Sequence, residues 1–163
     1  MDVEIEELGA VPEGQEEAVM NIYDLEPHLR DGMNLPKHNR FYQAKIDSRG
    51  LNSGEKDFSK LPNLYILTIL NYDPFDRDYM MYTIRNKCEE IPELEYGDGL
   101  HFYYFYTGGK HGGNEQIRTL LRYIQDSREE NATDEATKEL HSYVKQAKVS
   151  PEVKQAYMRF EEI

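Results

Sequence analysis

The sequence predicts an α/β protein: a mixed β-sheet flanked by helices, with further helices at the C-terminal end. Three observations carry this. Five short segments of strand-like apolar patterning precede residue 107, and a single helical period interrupts them near residues 34–48. After residue 113 only the helical period remains. Leu64-Tyr65-Ile66-Leu67-Thr68-Ile69-Leu70 is apolar nearly throughout, the pattern of a strand covered on both faces of a layered sheet.

Asp2-Val3-Glu4-Ile5-Glu6 alternates polar and apolar residues and reads as a half-buried strand. The turn residues Gly9 to Gly14 lead to a second strand, Val19 to Leu25, antiparallel to the first. Asn34-Leu35-Pro36 opens a helix, with Asn34 as its cap and Gly50 as its stop. Tyr42 and Ile46 mark the inward face of that helix, with Phe41 alongside. Asp73-Pro74 turns the chain between the apolar strand and a further one at Tyr79 to Ile84. His101 to Tyr106 is a strongly aromatic strand, assigned to the core rather than to an exposed stacking platform. Gly108 to Gly113 reads as a connecting loop, since no Gly-Lys-Ser/Thr follows it. Ile117, Leu120, Leu121 and Ile124 form one helical face behind the cap Asn114. Leu140, Tyr143, Val144 and Ala147 mark a second helix, and Val153, Tyr157 and Phe160 a third that begins at Ser150-Pro151. The domain reading is residues 1–125 for the sheet-bearing unit and 126–163 for a helical extension.

The 163 residues include 13 Tyr and 6 Phe, too many aromatic side chains for a disordered chain. No apolar run approaches the roughly 20 residues of a spanning helix. The acidic start, Met1 to Glu7, lacks the basic and then apolar character of a secretory signal, so the expected location is cytoplasmic. The single cysteine, Cys88, excludes an internal disulfide framework and a Cys-rich zinc site. A net charge of −12 argues against a general nucleic-acid coat. The charge is uneven, however. Residues 1–31 hold ten acids and one base, whereas residues 32–60 hold six bases and three acids. An acidic zone followed by a basic island suits a metal site beside a phosphate contact, and equally an ordinary solvated surface.

The first hairpin carries the chemistry. Alternation puts Asp24, Glu26 and His28 on one face of the second strand, and Asp2 with Glu4 on one face of the first. If residues 8 and 20 face each other, Asp2 lies opposite Glu26; a slip of one residue turns one of the two sets away. Carboxylates so placed repel unless a cation lies between them, and oxygen donors of this kind suit Mg²⁺ or Mn²⁺. The bases Lys37, Arg40, Lys45 and Arg49 follow on the helix. They read either as phosphate contacts or as a solvated face, with Arg40 alternatively pairing with the hairpin acids.

An Asp opening one strand, Glu-x-(Lys/Gln) on the next and then a helix resembles the PD-(D/E)XK nuclease arrangement. More closely, the chain resembles the PD-(D/E)XK nuclease family transposases, the recombination-promoting nucleases. The blocks that carry the resemblance are Asp2-Val3, Leu25-Glu26-Pro27-His28, Leu35-Pro36-Lys37-His38-Asn39-Arg40-Phe41-Tyr42-Gln43 and Ala44-Lys45-Ile46-Asp47. They continue with Phe58-Ser59-Lys60-Leu61-Pro62, Asp73-Pro74-Phe75, Tyr82-Thr83-Ile84 and Tyr106-Thr107-Gly108, so that residues 2 to about 125 are covered. The helix opening together with Asp-Pro-Phe is the more specific part. The resemblance implies a restriction-endonuclease-like fold and Mg²⁺-dependent hydrolysis of DNA, with Mn²⁺ as a substitute ion. It makes Asp2, Glu26 and His28 catalytic. Asp2, Glu26 and the Pro27 carbonyl become metal ligands, and Lys37, Arg40 and Lys45 DNA contacts. His28 stands where the family has Lys or Gln. Family members carry a helix and a strand before the catalytic Asp, so a start-truncated member is expected here. DNA is the expected partner, no membrane is, and a homodimer is left open. The alternative is a catalytically degraded module of the same fold that binds DNA or protein without cleavage.

Overall fold

A computed structural model describes residues 3–9, 19–28, 34–51, 54 and 56–151. The chain divides into two compact units, 1–112 and 113–163, so the helix that follows Asn114 groups with the C-terminal helices rather than with the sheet.

The first unit is α/β. Strands β1 (Val3–Leu8), β2 (Met20–His28), β3 (Asn63–Leu70), β4 (Met81–Ile84) and β5 (Leu100–Tyr106) form one mixed sheet in the order β1-β2-β3-β5-β4. β1 and β2 are antiparallel, and the expected pairing of residue 8 with residue 20 is the one found, running from Leu8 opposite Met20 to Val3 opposite Leu25. Asp2 lies outside the described residues. β2, β3 and β5 run parallel, and β4 returns antiparallel along β5. A parallel pair cannot be joined by a tight turn, and the helix α1 (Leu35–Gly50) lies in the connection between β2 and β3.

Helix α1 begins where the sequence places it. The Asn34 side chain accepts the Lys37 backbone N–H at 3.2 Å, and Pro36 sits in the first turn, where its missing N–H costs nothing. The helix buries Leu35, Asn39 and Ile46. Ile46 packs with Ile22, Leu64, Ile66 and Leu100, while Leu35 packs with Leu70 and Tyr104. Both clusters use the even-numbered residues of the strands, so this is the face that α1 covers. Phe41 corrects the expected helix face: it is 67% exposed, whereas Ile46 is buried. At about 100° per residue, Phe41 falls well over a quarter-turn from Ile46, on the outward side with Lys37 and Ala44.

The apolar run of β3 is buried on one face only. Leu64, Ile66, Thr68 and Leu70 are buried, while Tyr65, Leu67 and Ile69 are half-buried. On that second face Tyr23, Tyr65 and His101 stand in register on β2, β3 and β5, their rings stacked with centroids 4.8 and 4.6 Å apart. In β5, Leu100 and Tyr104 belong to the core, whereas Tyr103 and Phe105 are half-buried. β4 is shorter than expected, and Tyr79 instead makes an isolated parallel bridge to His111.

The Asp73-Pro74-Phe75 turn is built around one carboxylate. Asp73 accepts the backbone N–H groups of Phe75, Arg77 and Asp78, and the Tyr82 hydroxyl at 2.7 Å. These bonds hold Asp76 and Asp78 in the left-handed region, at φ 53° and 59°. Burial pushes the Asp73 pKa up, but the Phe75 N–H, the Tyr82 hydroxyl and the other amides together hold it below the ordinary 3.8. A folded-state pKa below the unfolded value stabilises the fold above the unfolded value, and that contribution is lost as pH falls through the folded one. The urea midpoint of the wild type is therefore expected to fall more steeply below about pH 4 than that of Asp73→Asn. Parallel pH profiles would contradict this.

In the second unit, helices α2 (Glu115–Gln125) and α3 (Glu135–Val149) are capped by Asn114 and by an Asp134–Thr137 capping box. Of the apolar face expected on α2, Leu121 is buried, but Leu120 and Ile124 are 39% and 37% exposed. Thr119 and Tyr123, on the side opposite Leu121, are buried instead, so α2 is covered on two sides and one apolar stripe does not describe it. The Tyr123 hydroxyl lies 3.0 Å from His141 Nδ1 on α3. The helix expected at Val153 to Phe160 lies outside the described residues. No helix among the described residues is long and apolar enough to cross a membrane.

Candidate metal centre at the end of the second strand

The pleat of β2 sends Ile22, Asp24, Glu26 and His28 to the face that α1 covers. Ile22 is ordinary core. Asp24 and Glu26 are carboxylates at 3% and 2% exposure, and His28 reaches the rim with 16% of its side chain exposed. Burying an ionised carboxylate costs several kcal/mol unless partners replace its water. Among the described residues, the partners of Glu26 are imidazoles. His28 Nε2 lies 3.2 Å from Glu26 Oε2, and His38 Nδ1 from α1 lies 3.6 Å from the same oxygen. Glu26 Oε1 is buried with no hydrogen-bond partner among the described residues. One potential ligand atom from each of Glu26, His28 and His38 falls within 4.8 Å of the other two.

A second tier holds the helix side of this cluster. Asn39 is 1% exposed, and its amide nitrogen donates to Thr68 Oγ1 at 3.4 Å and to the Tyr104 hydroxyl at 3.3 Å, tying α1 to β3 and β5. Its amide oxygen lies 3.4 Å from His38 Nδ1. Burial pushes the Tyr104 phenol up to about 12, so it stays protonated and neutral. The His28 and His38 rings meet edge to face at 4.8 Å, and Tyr42 lies 4.5 Å beyond His38. Asn39→Ala strands the hydroxyls of Thr68 and Tyr104 in the core. It is expected to cost about 2 kcal/mol, read from urea unfolding followed by tyrosine fluorescence; an unchanged midpoint would remove Asn39 as the tie.

Of the residues singled out in the sequence, the fold thus brings Glu26 and His28 together. Pro27 lies between them with its ring exposed, in register with Ile69 and one step past Glu26. The described pairing with β1 ends at Leu25, so the N–H that Pro27 lacks breaks none of those described pairs. Lys37, Arg40 and Lys45 are all exposed on α1. Lys45 lies on the flank nearest the cluster, with its ammonium 5.5 Å from the centroid of the Tyr42 ring. Among the described residues, the base that ties α1 to the hairpin acids is Arg49, whose guanidinium meets Glu4 at 2.7 Å, and no such pair is made by Arg40.

Sequence reasoning missed His38 as a member of the site. The signal was present: His38 precedes Tyr42 and Ile46 by four and eight residues, on the face already assigned inward. It could not be weighed, because nothing in the sequence shows which strand that face meets. Neither protein-family models, nor curated proteins, nor solved structures include a match to this chain.

Proposed function

We propose that this chain is a metal-dependent DNA endonuclease-like domain that hydrolyses phosphodiester bonds, as its resemblance to the PD-(D/E)XK nuclease family transposases implies. The supporting observation is Glu26. A carboxylate at 2% exposure, with one oxygen against two imidazoles and the other without a partner among the described residues, is a ligand set that fits a divalent cation. Glu26 and His28 would hold the ion, joined by Asp2 and the Pro27 carbonyl as the resemblance implies. The bound Mg²⁺ or Mn²⁺ would polarise the phosphate and lower the pKa of a water molecule.

The remaining roles belong to the chain. His28, at the solvent-facing rim of the cluster, would as a ligand fix the side from which water and phosphate reach the site. Ile66 stands in register with Asp24 and Thr68 with Glu26, all four buried, and this water-excluded setting strengthens each interaction at the rim. Lys37, Arg40 and Lys45 on the exposed face of α1 supply phosphate contacts, which position DNA without reading its bases. The test is nicking of supercoiled plasmid with Mg²⁺ or Mn²⁺, comparing the wild type with Glu26→Gln. Metal-dependent nicking lost in the variant supports the assignment. Nicking that Glu26→Gln retains would overturn it.

One observation favours a second reading. His28 stands where the resemblance calls for Lys or Gln. A module that binds DNA without cutting it would show no nicking with either ion, and salt-sensitive DNA binding weakened by the Lys37→Ala/Arg40→Ala double variant.

A further inference from the structure

We propose that His38 is a metal ligand, and that Glu26, His28 and His38 form a three-residue centre selective for a first-row transition-metal ion, with Zn²⁺ or Co²⁺ held far more tightly than Mg²⁺. The inference rests on the metal-dependent reading of the same site, but it is read in binding rather than in cleavage.

The geometry comes first. Two ligand atoms about 2.1 Å from a tetrahedral ion stand about 3.4 Å apart. The two imidazole nitrogens lie 3.2 and 3.6 Å from Glu26 Oε2, already at that spacing. The full set lies within 4.8 Å, so closing it asks for a shift on the order of an ångström from rings at the rim rather than a move of the backbone. His28 offers Nε2 and His38 offers Nδ1, and the two rings stand nearly perpendicular at 89° without stacking over one another.

The chemistry of the donors then selects the ion. Mg²⁺ takes oxygen ligands and keeps much of its water, whereas imidazole nitrogen suits zinc, copper, iron and nickel, with Co²⁺ between iron and nickel in affinity. Two imidazoles and one carboxylate leave at least one position open, which is the form of a catalytic rather than a closed structural site. The unpartnered Glu26 Oε1 is a second and independent pointer. It is a buried carboxylate oxygen beside the cluster with no donor to it among the described residues, and a cation offsets the cost of burying that charge. Asn39, next to His38 in the chain, is anchored to Thr68 and Tyr104, so His38 is set on a helix pinned to the sheet. The Asn39 Oδ1 contact at 3.4 Å is to the same Nδ1, and it would be given up when that nitrogen takes the ion. The rim exposure of His28 and His38, 16% and 19%, provides an entry path.

The test titrates the full chain, stripped with chelator, with Zn²⁺ by calorimetry and with Co²⁺ by its visible absorption, and repeats the titrations with Mg²⁺. Wild type, His38→Gln and His28→Gln are compared, with the urea midpoint of each as the control for folding. The expected result is one Zn²⁺ or Co²⁺ per chain, bound at least about 100-fold more tightly than Mg²⁺. Each histidine variant is expected to lose about 10-fold to 100-fold in affinity for Zn²⁺ while keeping its urea midpoint. Zn²⁺ affinity unchanged in a folded His38→Gln, or no Zn²⁺ or Co²⁺ bound by the wild type, would overturn the inference. Zn²⁺ binding that needs His38, with no nicking under any ion, leaves this inference standing and removes the hydrolytic reading. Mg²⁺-dependent nicking by a wild type that binds neither Zn²⁺ nor Co²⁺ does the reverse.

Discussion

Glu26→Met is expected to abolish metal-dependent nicking, by at least about 100-fold, while leaving the folded protein as stable as the wild type or more so. The two halves of this result have one cause. Glu26 is 2% exposed, so its charge is held out of water, and its described contacts are to two imidazoles at 3.2 and 3.6 Å. Without a cation that arrangement repays little of the desolvation cost. Methionine fills nearly the same volume, needs no hydrogen bond and adapts to irregular surroundings. Glu26→Ala is expected to lose the same activity but to destabilise, because it leaves a cavity between β2 and α1. A residue kept for packing behaves differently: removing its charge while keeping its bulk would leave activity alone. The readouts are plasmid nicking and the urea midpoint, the latter followed by tyrosine fluorescence because the chain has 13 Tyr and no Trp. A Glu26→Met protein that nicks like the wild type would end the case for Glu26 as a ligand. One that unfolds would show the carboxylate to be structural.

Ile66→Ala is expected to cost about 2–5 kcal/mol, the largest stability effect of any single truncation considered. Ile66 is fully buried on β3, the middle strand of the sheet, with parallel neighbours on both sides. Its side chain packs with Ile22 of β2, Ile46 of α1 and Leu100 of β5, so one truncation opens a void touching three elements. Strands paired on both edges cannot shift to refill such a space. Truncating Leu67, the half-buried neighbour on the opposite face, is expected to cost clearly less. Equal losses for the two variants would show that both faces of β3 contribute equally to stability, contrary to their burial.

The order of elements was legible in the sequence because each announces itself locally. Asn34 and Pro36 mark the start of α1, Asn114 the start of α2, and alternating residues the first hairpin. The register of that hairpin was not legible: the pairing of residue 8 with residue 20 stood as one possibility, since a slip of one residue turns a face away and eleven residues join the strands. Glu26 and His28 could be placed side by side because they are two residues apart on one strand.

What only the tertiary structure decided is everything that joins distant segments. The sheet order β1-β2-β3-β5-β4 puts β5 between β3 and β4, and no local pattern encodes that insertion. The burial of β3 on one face rather than two, and of α2 on two sides rather than one, depends on neighbours that sequence periodicity does not see. His38 is the sharpest case. Its position on the inward flank of α1 follows from a period of 3.6 residues, but its approach to Glu26 follows from the packing of α1 across β2, through Ile22, Ile46 and the Asn39 tie to Thr68 and Tyr104. Local sequence determines which way a side chain leaves its own element; only long-range packing determines what it meets.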